Sequence, residues 1–146
     1  MGEINSTIRK FGHPATLVRD YDHWMVLLRP QQPTLGALVL AAKSDALEFG
    51  NLPQAAYAEL GTVTRDIETA LKAALAYERI NYLMLMMVDP HVHFHVIPRY
   101  DGERSAQGVT LPDAGWPRAP DLGNAKTLTA YEISGLCSWL KACWPA

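Results

Sequence analysis

Residues 91–99, His-Val-His-Phe-His-Val-Ile-Pro-Arg, alternate imidazole with apolar side chains over their first six positions. A strand turns successive side chains to opposite faces, so this period of two predicts a β-strand. His91, His93 and His95 then line one face, while Val92, Phe94 and Val96 pack the other. Three of the chain's five histidines are concentrated in this one segment. Just before it, Asp89-Pro90 punctuates a continuous apolar run, NYLMLMMV, from Asn81 to Val88. A run of that length without alternation predicts a central strand buried on both faces. Met84, Met86 and Met87, with Met25, then read as gap-fillers of the core.

Working toward the N-terminus, residues 53–78 have the period of a helix. Pro53 suits a first helical position, and the alanine-rich run that follows has high helix propensity. Tyr57, Leu60, Val63 or Thr64, Ile67, Leu71 and Leu75 form an apolar stripe, with charged residues on the other side. Residues 15–28, ATLVRDYDHWMVLL, read as one strand, ended by the prolines of RPQQP. Leu35–Leu40 supplies a second strand and completes a hairpin.

Toward the C-terminus, residues 101–128 are rich in Gly, Pro, Asp and Ser and lack periodicity, which predicts a long functional or mobile connection. Thr129-Ala130-Tyr131-Glu132 matches a capping box opening a last helix, with Ile133, Leu136, Leu140 and Trp144 turned inward. The order strands, helix, strands, helix predicts an α+β domain on an antiparallel sheet. A single domain spanning 1–146 is expected, with its motif region at about residues 15–100.

The bulk properties narrow the function classes. A chain of 146 residues with net charge −2 carries no basic excess that would hold nucleic acid and no acidic tail. No apolar stretch resembles a signal peptide or reaches membrane-spanning length. Met1-Gly2 followed by Ser6 only loosely matches a myristoylation pattern. Cys137 and Cys143 do not share a helix turn, and two cysteines cannot complete a structural zinc site. A cytoplasmic protein with reduced thiols is expected.

The histidine row carries the chemistry. Imidazoles titrate near neutrality, act as nucleophiles or proton carriers, and bind anionic oxygen when protonated, which suits phosphate handling. Alternating histidines on one strand can also ligate a metal. Asp89 is the nearest carboxylate, and its place in the turn makes it a poor completing ligand.

The segment HVHFHVIPR resembles the histidine triad (HIT) motif, in which three histidines alternate with apolar residues. Its Pro98-Arg99 ending is similar to the family's diadenosine polyphosphate hydrolase branch. The hairpin near Leu35-Gly36, the long helix and the Asn81 strand follow the family's order. The resemblance implies a HIT-like fold, with an antiparallel sheet of about five strands, one long helix and a C-terminal helix.

It also implies a nucleotidyl hydrolase or transferase. His93 would attack the α-phosphorus of a dinucleoside polyphosphate or a nucleoside phosphoramidate, and water or another acceptor would resolve the nucleotidyl-histidine. His91 would orient His93 largely through its backbone carbonyl, and His95 would hydrogen-bond phosphate oxygens. No cofactor and no metal ligand set is implied, although a substrate can arrive carrying magnesium. A homodimer with sheets joined across a two-fold axis is implied as well.

Three positions depart from the family's pattern. Met87 stands where a Gln or Ser is frequent, Arg29 where an Asp or Asn contacts ribose hydroxyls, and Ala37 where a histidine is frequent. Arg29 and Arg99 are the candidate cationic phosphate contacts, whereas Lys43 reads as a solvated surface charge. Asn81 and Trp116 join them as candidate nucleotide contacts, Trp116 either covering a nucleotide or packing within its loop. Met87 and Arg29 keep open a nucleotide-binding protein with little turnover, and the three histidines themselves keep open a histidine-ligated metal protein.

Overall fold

The apolar and alternating segments between Leu17 and Arg99 assemble into one antiparallel sheet. The computed structural model describes residues 4–146, so the Met1-Gly2 pattern lies outside the described residues. A short helix α1 (Ser6–Lys10) opens the described chain, capped by the Asn5 side chain, which accepts the Ile8 N–H. Residues 15–28 form two strands rather than one: β1 (Leu17–Asp20) and β2 (Trp24–Leu28) pair as a tight hairpin. The polar Asp20, Asp22 and His23 at its tip explain the break, since a strand buried on both faces could not satisfy them.

The chain continues through β3 (Gln31–Gln32), β4 (Leu38–Ala42), the long helix α2 (Gln54–Leu75), β5 (Arg79–Leu83) and β6 (His93–Arg99). The sheet order is β1-β2-β4-β6-β5. Helix α2 is three residues shorter at its C-terminus than its period suggests, because Ala76 adopts a left-handed conformation and stops it. Pro53 is its cap rather than its first helical residue. Val63, Ile67, Leu71 and Leu75 are buried as the stripe requires.

The Asn81 strand departs from expectation. It is an edge strand, not a central one, and it ends at Leu83. Beyond it, Leu85, Met87 and Val88 are solvent-exposed, the last two at 83% each. Met25 does fill the core and Met84 packs against it, but Met87 does not. Apolar composition alone marked this run as buried; one edge of the sheet stays open beside it.

The two faces of the sheet are covered differently. Trp24, Val26, Leu28, Leu38, Leu40 and Val96 turn to one face and pack under α2 and the last helix α3 (Ala130–Cys143). Leu136 and Leu140 are fully buried there, and the expected capping box is formed by Thr129 and Glu132. Met25, Leu27, Val39 and Ala41 turn to the other face, where α1 lays Ile8 and Phe11 on them.

The connection after Arg99 is not structureless. It holds a hairpin, β7 (Glu103–Ala106) with β8 (Val109–Pro112), and a short strand β9 (Lys126–Thr127) that pairs with β3. Gln107 and Gly108 turn that hairpin with positive φ at both positions. Gly36, at φ +90, is required where the chain enters β4, since a Cβ there would meet Leu75 Cδ1 at 2.6 Å.

Candidate active site

Strand β6 begins at His93, so His91 lies in the bend just before it. Its direction still continues the strand, because Ala42 N–H donates to the Val92 carbonyl at 3.0 Å. His93 and His95 alternate onto the face under α1, with ring centroids 5.0 Å apart. Register sets Ala41 opposite His93, and Val39 and Leu83 opposite His95. The imidazoles therefore stand on an apolar floor.

Hydrogen bonds assign two of the three rings. His93 Nδ1 lies 2.7 Å from the His91 carbonyl oxygen. A carbonyl can only accept, so Nδ1 carries a proton, and in the neutral ring the lone pair is on Nε2. Arg29 Nε donates to His95 Nδ1 at 3.3 Å. A guanidinium cannot accept, so His95 carries its proton on Nε2. The two neighbouring rings thus have opposite tautomers. His91 Nδ1 faces the Thr7 hydroxyl at 2.9 Å, and that oxygen also receives the His91 backbone N–H.

The HIT domain family matches residues 12–102, well over half the chain. This chain belongs to the histidine triad family. Among curated proteins none matches the sequence. Solved structures similar to it include a histidine triad protein from Bradyrhizobium japonicum, 22% identical, with 96% of each chain covered and a TM-score of 0.72. Another, from Sinorhizobium meliloti, is 21% identical over 96% of this chain and 95% of its own, with a TM-score of 0.74. A third, from Marinobacter aquaeolei, is 16% identical over 99% and 96%, with a TM-score of 0.69. At these identities the likeness is one of fold. Helix α1 lies just ahead of the stretch the family matches.

Burial governs the electrostatics of this triad. His95 is pushed down to about 4, chiefly because burial disfavours its charged form, with the Arg29 charge, and that of His93 when protonated, adding to it. Asp89 pulls weakly the other way. Burial also lowers Arg29. His93 is 1% exposed and His95 7%, because Phe11 packs against both rings at 5.6 Å between centroids. An open cavity of about 540 Å³ lies beside His91, between α1 and the Lys43–Asp45 turn.

The other expected contacts are placed differently. Arg99 lies on the same face as the triad but four residues beyond His95, about 13 Å along the strand. Its fork is committed: Nε and Nη2 pair with Asp113 at 2.6 and 3.1 Å, and Nη1 donates to Asn81 at 2.8 Å. Both charged side chains are nearly inaccessible, at 4% and 1% exposure. Arg99 and Asn81 therefore anchor the connection 101–128 instead of presenting free donors to a phosphate. Trp116 sits in the turn held by that anchor, its N–H donating to the Asp113 carbonyl at 3.2 Å. Lys43 is paired with Asp20 at 2.5 Å rather than simply solvated.

Thr7, Phe11, Gln32 and Asp113 join these sites without having been singled out in the sequence. Gln32 is buried and closes the turn after β2, donating to the Arg29 and Ala37 carbonyls and accepting the Gly36 N–H. It thereby fixes the backbone that carries Arg29. An Asn5 cap before a short helical segment was the available signal for α1. Among the described residues, no group of three His, Cys, Asp or Glu side chains is arranged to hold a metal ion. No described helix is long and apolar enough to cross a membrane.

Proposed function

We propose that this histidine triad protein binds nucleotides and transfers a nucleotidyl group through His93. The observation that carries this reading is the His93 Nδ1–His91 carbonyl bond, which in the neutral ring puts the lone pair on Nε2. His93 Nε2 attacks the α-phosphorus, the new P–N bond forms, and the bond from phosphorus to the leaving group breaks with its electron pair, a polyphosphate leaving as the anion and an amine taking a proton from water. Water then attacks the same phosphorus and loses a proton to solvent, the P–N bond breaks with its pair returning to Nε2, and the nucleoside monophosphate departs. The His95 Nε2–H donates to a phosphate oxygen as charge builds on it.

Dinucleoside polyphosphates are the first substrate class to test, on the strength of the Pro98-Arg99 ending, and nucleoside phosphoramidates the second. The family relationship also supports a homodimer, for which the open edge at β5 and the exposed Leu85, Met87 and Val88 offer a surface. A single domain in the cytoplasm completes the reading.

A second reading has its own support. His93 is 1% exposed beneath Phe11, and Met87 turns to solvent where a polar phosphate contact is frequent in the family. A binding protein with little turnover would have this arrangement. Single-turnover incubation with a diadenosine polyphosphate and an adenosine phosphoramidate separates the two. Release of AMP by the native protein, abolished in His93→Ala, is the expected result. Binding of AMP with no release from either substrate would make the second reading correct.

A further inference from the structure

Arg29 follows the last residue of β2 and alternates onto the triad face after Met25 and Leu27. Its backbone is pinned twice, by its own N–H to the Ala37 carbonyl at 3.0 Å and by Gln32 on its carbonyl at 2.6 Å. Its side chain is held in turn: Nη1 donates to the Gln31 carbonyl at 2.6 Å, which aims Nε at His95. A cation with no acceptor is thus fixed against one nitrogen of one imidazole.

We propose that Arg29 is a positioning residue that sets the tautomer of the buried His95, making it a donor through Nε2–H. The alternative neutral tautomer would set an N–H of His95 against the Nε–H of Arg29. The imidazolium would do the same and add repulsion between two positive charges. Only the Nε2–H form leaves an acceptor facing the guanidinium. His93, fixed in the opposite tautomer by a backbone carbonyl, then stands beside it with a free lone pair. One strand thereby presents a nucleophile and a hydrogen-bond donor side by side, each set by a different partner.

Other charged groups near His95 do not duplicate this control. His93 shares its strand and face; Asp89, in the preceding turn, favours the charged form and is itself paired with Lys10 of α1 at 3.1 Å. Phe11 from the α1 side, Val39 from β4 and Leu83 from β5 bring no charge. The catalytic meaning of the inference rests on the proposed nucleotidyl transfer. Its test reads the ring itself, so failure of either is seen separately.

The test is long-range proton–nitrogen correlation spectroscopy on protein labelled with ¹⁵N-histidine, for the native chain and Arg29→Met. His95 in the native chain is expected to show one pattern, protonated at Nε2, without titrating between about pH 5 and 8. In Arg29→Met that single tautomer is lost and the titration midpoint of His95 shifts upward. His93 should keep its proton on Nδ1 in both, which reports that the fold is intact. A native His95 protonated at Nδ1, or charged near neutral pH, overturns the proposal even if the variant does not fold. So does a folded Arg29→Met in which His95 is unchanged.

Discussion

His95 and Arg99, four residues apart on one strand, show how differently buried charge is handled on the same face. His95 has no anion bonded to it, so burial and Arg29 hold it neutral. In the unfolded chain it takes a proton near its ordinary value of 6.5, whereas in the folded chain it does so only near 4. Its contribution to stability is therefore complete above about pH 6.5 and is lost progressively as pH falls toward 4. Urea midpoints measured across that window should fall more steeply for the native protein than for His95→Gln; parallel curves would refute the assignment. Arg99 has its anion in Asp113, and removing one partner leaves the other charged and buried. Arg99→Ala should cost about 3–5 kcal/mol in denaturant unfolding. The alternation of His91, His93 and His95 was legible because strand period is local. The partners of these residues were not, since Arg29 and Thr7 lie 66 and 84 positions away in the chain.

At the scale of elements, α1 determines how open the triad is. Phe11 at its end is 9% exposed and touches both rings. Phe11→Ala should cost about 3–5 kcal/mol and speed modification of His93 by diethyl pyrocarbonate. The labelling rate at His93, read by peptide mass spectrometry, checks this; an unchanged rate would mean that α1 does not limit access. Helices α2 and α3 were readable from stripe and capping box because those signals are local and strong. Strand β5 lies at an edge although its apolar composition predicts a centre, because an apolar run does not reveal whether neighbours exist on both sides. The hairpin β7–β8 is hard to read because Glu103, Arg104 and Ser105 give β7 no apolar alternation and the alternation of Val109 and Leu111 in β8 is only three residues long, although Val109 is buried in the core.

At the scale of the whole molecule, the antiparallel α+β plan followed from the order of periodic segments, and the family relationship agrees with it. What order could not give was the sheet's sequence of neighbours, in which β5 falls at an edge. That edge and the exposed Leu85, Met87 and Val88 bear on the proposed homodimer. Sedimentation velocity should show a dimer at micromolar concentration, converted to monomer by Met87→Asp with Val88→Asp. A native monomer would contradict the dimer and leave the triad's chemistry untouched.

Nucleotidyl transfer through His93 requires that its Nε2 becomes covalently bonded to phosphorus. Rapid alkaline quenching during single turnover of a diadenosine polyphosphate, followed by peptide mass spectrometry, tests it directly. An adenylyl group is expected on the peptide containing His93, lost on acid treatment and absent from His93→Ala. AMP formation with no adduct at any point in the time course, and undiminished in His93→Ala, would contradict it.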